Sequence, residues 1–286
     1  MSPLPCFASV IIPAKNAEQT LGEQLEALVA QVAEFPWEIL VVDNGSTDRT
    51  PQIVETYRAS FPALRLIRCE RPGANAARNE GVMNASAERL LFCDADDCVA
   101  PGWVAALAAG LESYELVGGH IDNDSFDRGY MPGHPDYLPV IGRFLPRAIA
   151  ANLGVRRSAW AEVGGFSETY QYGSTDTEFC WRVQLAGFRL GYVPEASVAY
   201  RARMSLKGAA RKAYLTGKAR PLLYRDFRRF GMPRSSVAAA LVNWVRLIAL
   251  LPGAIVSPRL RWNFVRSAAA AAGRVVGSFQ HRVVYL

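Results

Sequence analysis

The sequence predicts an α/β fold: a mostly parallel sheet flanked by helices, followed by a helical, basic C-terminal extension. Three observations predict it. Short apolar runs alternate with segments of helical periodicity through residues 8–120, as parallel βαβ units require. Some of those runs break at their C-terminal ends into acidic and amide residues, where open α/β sheets bind ligands. The charge is divided as well: residues 1–200 hold 15 Lys and Arg against 25 Asp and Glu, whereas residues 201–286 hold 17 against Asp226 alone.

Residues 8–14 read as the first strand and run into Lys15-Asn16. Thr20 and Glu23 have capping-box spacing, ahead of Leu25, Leu28, Val29 and Val32 at helical intervals, and Pro36 closes that segment. Residues 38–42 form the second strand, ending at Asp43-Asn44-Gly45. Thr50-Pro51 then offers an N-cap and an N1 proline to a helix carrying Ile53, Val54 and Tyr57. Residues 64–68 read as a third strand and 76–84 as a helix opened by the Gly73 loop. A fourth strand over 89–93 runs into Asp94-Ala95-Asp96-Asp97. A helix is expected after Pro101 and a strand over 117–120, and the polar, turn-rich residues 121–137 are expected to form a loop at the site.

A chain of 286 residues fits one α/β domain with an appendage as well as two domains, and its hydrophobic half is enough for a sizeable core. Five cysteines, Cys6, Cys69, Cys93, Cys98 and Cys180, include no C-x-x-C pair, and no histidine stands at zinc spacing. That composition points to a reducing compartment and away from structural zinc. No basic stretch precedes the first apolar run, so no secretory signal is expected.

Three carboxylates crowded at a strand end are costly unless a cation sits there. Carboxylate oxygens are hard ligands, and Mg²⁺ and Mn²⁺ take one or two of them together with substrate phosphates. Read alone, Asp94-Ala95-Asp96-Asp97 is equally a polar turn with a helix cap. Asp43 can accept a hydrogen bond from a ring N–H, or close an Asx-turn. The planar fork of Arg78 suits diphosphate oxygens or the carboxylate of Asp94. Arg156 and Arg157 either meet an acceptor phosphate or are solvated.

The ordered motifs SVIIPAKN, VVDNGSTDRT, GANAARNEGV, LLFCDADD and STDTEFCWRV together resemble the family 2 glycosyltransferases, which have the nucleotide-diphospho-sugar-binding fold called GT-A. The likeness spans roughly residues 7–200; as an ordered set it is specific, whereas each motif alone is weak. It implies a catalytic domain over 1–200, with a nucleotide-sugar half at about 1–100 and an acceptor half at about 101–200, and an extension over 201–286. It implies an inverting enzyme that moves one sugar from a nucleotide-diphospho-sugar, a UDP-sugar foremost, to an acceptor hydroxyl. Polysaccharide, glycolipid or cell-envelope glycan synthesis is the implied setting. The implied donor site comprises Pro13, Ala14, Asn16, Asp43, Arg78, Asp94, Ala95 and Asp96, with Lys15 as a further contact. Asp94 and Asp96 would hold a Mn²⁺ or Mg²⁺ ion at the diphosphate, and Asp97 extends the cluster.

By the same likeness Asp176 aligns with the general base, since an attacking hydroxyl must lose its proton to a group within hydrogen-bond reach. Its alternative is to cap the helix over 178–186. Thr175 stands where relatives commonly carry Glu, and Glu178 is a following acidic position. After residues 192–196 many relatives carry a metal-binding His, whereas this chain reads Val198-Ala199-Tyr200, and a phenol is a poor ligand near neutral pH. The Q-x-x-R-W signature of processive synthases is absent, so one sugar per cycle is expected. A sugar nucleotidyltransferase would need a Gly-rich loop where Pro13-Ala14-Lys15-Asn16 stands. A nonenzymatic lipid- or nucleic-acid-binding protein would account for the basic tail but not for the acidic centres.

In the tail, Val237, Leu241, Trp244, Val245 and Ile248 share one helical face, with Asn243 and Arg246 opposite. About 20 apolar residues are needed to span a bilayer. Arg246 and Pro252-Gly253 interrupt this run, so an interfacial amphipathic helix is expected, with packing against the rest of the chain as the alternative. Arg259, Arg261, Arg266 and Arg274 suit lipid head groups. The apolar content of the tail favours lipid over nucleic acid. The expectation is a cytoplasmic enzyme, peripheral on the inner face of the cell membrane, acting on a glycan or lipid-linked acceptor.

Overall fold

Strict alternation along the inner strands sorts their side chains into two hydrophobic layers, one on each face of the sheet. The computed structural model describes residues 6–122, 125, 135–170, 173–201 and 205–286. In β1 (Ala8–Ala14), Val10 and Ile12 enter one layer and Ile11 the other. After α1 (Leu21–Val29), β2 (Trp37–Asp43) does the same, with Ile39 and Val41 on one face and Leu40 and Val42 on the opposite face. All seven are fully buried, and each such side chain contributes about 1.5–3 kcal/mol.

The chain continues through α2 (Thr50–Tyr57), β3 (Leu64–Arg68), α3 (Ala74–Asn84), β4 (Arg89–Cys93), β5 (Cys98–Val99), α4 (Trp103–Ser113) and β6 (Leu116–Asp122). A small hairpin, β7 (Val140–Ile141) and β8 (Leu145–Pro146), precedes β9 (Asn152–Arg156), α5 (Arg157–Glu162), α6 (Thr175–Leu185) and β10 (Leu190–Ala199). Among the described residues the main sheet has eight strands in the order β3-β2-β1-β4-β9-β6-β10-β5. β3, β2, β1 and β4 are parallel, β9 runs antiparallel between β4 and β6, and β6 pairs parallel with β10. The C-terminal ends of β1, β2 and β4 therefore open at one edge.

β9 had no signature in the sequence beyond a short apolar run. It is admitted by Gly154, whose added Cβ would lie 2.8 Å from Val117, and by buried Asn152. The Asn152 amide donates to the carbonyls of His120 (2.7 Å) and Ala196 (2.8 Å) and accepts from the Trp103 indole (2.8 Å). It thereby fills the register shift between β6 and β10 at Val193/Ser197.

Local expectations need correction at four places. Thr20 precedes α1, but its hydroxyl donates to the Ala95 carbonyl (2.9 Å) instead of closing a capping box. α2 begins at Thr50, one residue earlier than the proline signal implies, because Asp48 accepts from the Thr50 amide at 3.0 Å. Arg156 and Arg157 are neither solvated nor in a cleft. Arg156 donates to Leu111 (2.8 Å) and Glu112 (3.0 Å), at the end of α4, and Arg157 to Val82 (2.9 Å) and Ala85 (2.7 Å), at the end of α3. Cations are favoured at such carbonyl-rich helix ends. The predicted loop over 121–137 begins inside β6, and most of it lies outside the described residues.

The extension forms α7 (Leu206–Phe227), α8 (Val237–Val256) and α9 (Pro258–Gln280). α7 and α9 approach so closely that a Cβ on Gly217 would lie 2.2 Å from the Ala270 carbonyl oxygen, and one on Gly273 2.2 Å from that of Tyr214. α7 is tied to the sheet domain by a third core, in which Tyr170 and Trp181 pack with Leu222, Leu223 and Phe227. α8 packs on α9 and continues through Pro252 to Val256, past the end expected at residue 251. No helix among the described residues is long and apolar enough to cross a membrane.

Replacing a mid-helix glycine by alanine ordinarily stabilises a helix by roughly 0.5–1 kcal/mol. Gly273→Ala should do the reverse here, lowering stability by about 1–3 kcal/mol, because the α7 backbone has no room to withdraw. Urea unfolding of the full chain reads this, and a stabilised variant would contradict the close approach.

Candidate active site

The acidic loop after β4 is fastened from several directions. The Gln24 side chain donates to the Asp94 carbonyl (3.1 Å) and accepts from the Val99 amide (3.0 Å). The Arg201 amide donates to Asp97 Oδ1 (2.8 Å), its Nε to the Asp96 carbonyl (3.0 Å), and its guanidinium pairs with Glu23 at 2.5 Å. With the loop held so, one carboxylate oxygen from each of Asp94, Asp96 and Asp97 lies within 4.8 Å of the others.

Asp94 is bound by the buried Arg78 guanidinium at 2.7 Å, so the Asp94-partner reading of Arg78 describes the structure. Arg78 still lines the cavity, and its Nε is buried without a partner. Asp97 is buried, with Oδ2 unpartnered. Burial first, then the charges of Asp94 and Asp96, push its carboxyl up to about 9. Three carboxyl groups at this spacing, one with an unpartnered oxygen, are a donor set that fits a hard divalent cation.

A cavity of about 420 Å³ joins this loop to the second acidic centre. Asp94, Asp96, Arg78, Asp176 and Tyr200 all line it. Asp176 is the second residue of α6 and does not cap it; that place belongs to Ser174, in the left-handed region at φ 58°. Its carboxylate accepts from the Thr175 hydroxyl (2.9 Å) and lies 3.6 Å from the guanidinium of Arg147. Gly173, two residues before α6 and also left-handed, abuts α7 so closely that a Cβ would lie 2.8 Å from Thr216 Cα.

Tyr200 is half-buried, and burial followed by the three aspartates raises its phenol well above the ordinary tyrosine range. Lys212 of α7 donates to its hydroxyl at 2.7 Å. Tyr200 thus presents a neutral phenol with an ammonium on it. Lys212, Arg147 and Gln24 were not singled out in the sequence. Arg147 and Lys212 look like surface cations, and Gln24 like a helix-face residue.

Pro13, Ala14, Asn16, Asp43 and Ala95 do not line this cavity. They stand at the neighbouring strand ends, where Ala14 pairs with Asp43 across β1 and β2. Asp43 accepts from the Ser46 amide (3.1 Å), three residues on. Asn16, at φ 51°, accepts from the Thr47 amide (2.9 Å), and Lys15 lies exposed beside it. Asn44 clamps the next loop, donating to Cys69 (3.1 Å) and Arg71 (2.6 Å) and accepting from Gly73 (2.8 Å).

Glu178 is placed elsewhere. Its buried carboxylate, raised by desolvation, pairs with Arg182 at 2.5 Å, and Arg182 donates to the Gly165 carbonyl at 2.7 Å. The pair secures the Gly164-Gly165 turn rather than the cavity. Removing one member of a buried pair costs about 3–5 kcal/mol. Glu178→Ala should therefore lower the melting temperature sharply, and an unchanged melting curve would contradict this structural role.

The strand-end cleft thus brings two acidic centres together under a basic rim. The family model described as Glycosyl transferase family 2 matches residues 9–180, and the chain belongs to that family. It is 30% identical over 211 residues to the glycosyltransferase AglE of Haloferax volcanii, covering 71% of this chain and 69% of AglE. It spans between 25% and 52% of the length of several other curated relatives. Among solved structures, the mannosyltransferase PcManGT of Pyrobaculum calidifontis with GDP-Man and Mn²⁺ superposes with a TM-score of 0.63 at 19% identity, over 98% of this chain and 90% of that one. S. aureus TarS 1–349 with UDP-GlcNAc gives 0.55 at 20% identity, over 98% and 93%. These likenesses establish the GT-A fold.

Proposed function

We propose that the chain is an inverting, metal-dependent glycosyltransferase moving one sugar from a nucleotide-diphospho-sugar, a UDP-sugar first, to an acceptor hydroxyl in envelope or other glycan synthesis. The observation that carries this reading is the meeting of Asp94, Asp96 and Asp176 in one cavity. Nucleotide-sugars and Mn²⁺ in structures of the same fold support the donor and the cation.

In the proposed reaction Asp176 accepts the proton of the acceptor hydroxyl. The acceptor oxygen bonds to the anomeric carbon from the face opposite the leaving group. The bond from that carbon to the diphosphate oxygen breaks, and the nucleoside diphosphate departs with the electron pair. Arg147 orients the base from 3.6 Å. Asp94 and Asp96 would hold the Mn²⁺ or Mg²⁺, with Asp97 beside them and Arg78 fixing Asp94. The ion, when bound, offsets charge on the leaving diphosphate. Pro13, Ala14, Lys15, Asn16 and Asp43, at the adjoining strand ends, would take the nucleoside.

Attachment to a membrane belongs to the same proposal. α8 turns Leu241 (61% exposed), Trp244, Val245 and Ile248 (71% exposed) to solvent, and Arg246 faces away from them. An apolar helical face on a basic extension fits an anionic bilayer surface, where each nearby Lys or Arg adds about 1 kcal/mol. Peripheral attachment at the inner face of the cell membrane follows, and nucleic acid is not the expected partner.

Asp176→Asn should retain UDP-sugar binding yet slow transfer by roughly 10²–10⁴-fold, the usual cost of lost acid–base catalysis. Wild-type turnover in that variant would remove Asp176 from the chemistry. Asp96→Asn should abolish the thermal stabilisation that Mn²⁺ plus UDP gives the wild type; equal stabilisation in chelator would count against the metal. Val245→Asp with Ile248→Asp should release the chain from anionic liposomes without altering soluble turnover, and undiminished co-sedimentation would refute docking through this face.

A further inference from the structure

A second cavity, of about 580 Å³, lies between the three C-terminal helices. Arg220 of α7 and Arg266 and Arg274 of α9 are half-buried in its wall, with the exposed Lys212 and Arg246 alongside. No Asp or Glu lines it, and none of Arg220, Arg246, Arg266 and Arg274 pairs with a carboxylate among the described residues. Leu250 and Leu260 supply an apolar side. Lys212, Thr216 and Arg220 also line the cavity that holds Asp176, so the two spaces adjoin.

Such a wall is unfavourable when empty of counter-charge. Burial lowers the pKa of Arg220, Arg266 and Arg274 alike, and Arg147 and Arg274 depress Arg220 further. Guanidinium forks are the side chains best matched to phosphate oxygens. The donor diphosphate has its own place at Asp94 and Asp96, so these arginines face a different anion. Leu250 belongs to the same helix whose outer face is apolar, so a molecule with an anionic group and a hydrocarbon tail could lie along both.

We infer that this cavity binds a phosphate or diphosphate group carried by the acceptor, holding the acceptor hydroxyl toward Asp176, with Leu250 and Leu260 receiving apolar substituents. The inference rests on the glycosyltransferase reading and names the acceptor class within it.

The test is calorimetric titration of the full chain, saturated with UDP and Mn²⁺, with inorganic pyrophosphate, farnesyl diphosphate and farnesol. Farnesyl diphosphate should bind, at least tenfold more weakly in Arg266→Gln with Arg274→Gln, and farnesol should not. Arg246→Gln, at an exposed position where folding is not at risk, should weaken it as well, and Arg266→Lys with Arg274→Lys should restore part of the affinity. Tighter binding of farnesyl diphosphate than of pyrophosphate supports a lipid-borne phosphate; equal binding supports a soluble phosphorylated acceptor, and either upholds the anion site. Affinity unchanged in both the double variant and Arg246→Gln, or farnesol binding as well as its diphosphate, overturns it. Failure of UDP–Mn²⁺ to bind would instead strike the donor reading, and the arginine variants would still report on this cavity.

Discussion

Three carboxylates at the end of β4 repel one another, and much of the surrounding structure exists to hold them together. At an effective dielectric of about 20, two unit charges about 5 Å apart repel by roughly 3 kcal/mol. Asp97 answers by a raised pKa, Asp94 by pairing with Arg78, and the loop backbone by bonding to Thr20, Gln24 and Arg201. Arg201 reaches the loop because β5 pairs antiparallel with the end of β10, bringing residue 201 beside residues 96 and 97. α1, β5 and β10 are thus placed by the needs of a four-residue turn. The cluster is strained in charge though not in backbone, the condition in which a divalent cation gains most by arriving.

The parallel half of the sheet was legible in the sequence because its code is local. Short continuous apolar runs end in Asp43 and Asp94, with segments of helical spacing between them. Both acidic centres were legible only through the ordered set of motifs, since read alone each is equally a polar turn or a helix cap. What escaped is non-local. β9 is chosen by Gly154 and Asn152 fitting between strands that lie far away in sequence. Thr20 has capping-box spacing, yet a carbonyl 75 residues away claims its hydroxyl. Arg156 and Arg157 read as free cations because the helix ends they cap cannot be seen until α3 and α4 are folded against β9.

Tyr200 becomes intelligible only in three dimensions, because nothing in the sequence points to its partner. Here its hydroxyl accepts from Lys212, which brings an ammonium toward the aspartates from the extension. Part of the positive charge at the site is thus a side chain of α7. Tyr170 and Trp181 share a core with α7, and Gly173 abuts it shortly before α6, so the element bearing Asp176 packs directly on the element bearing Lys212.

That coupling gives the uneven charge of the chain a physical sense. An acidic sheet domain alone would repel both the diphosphate of a donor and an anionic surface. The basic helices counter this from one side, along a line running from Lys212 and Arg220 at the acidic cavity to Arg266 and Arg274 beyond it. The field therefore changes sign within the site, from carboxylates on the sheet side to guanidinium groups on the helical side. A substrate pair with phosphate at each end and a sugar passing between would lie along that gradient, its negative ends met by a cation at one side and arginines at the other. On the proposed reading the extension would belong to the reaction centre as well as to the membrane contact. Truncation near residue 201 would remove Lys212, one wall of the active-site cavity and the whole of the second cavity, along with any grip on a membrane.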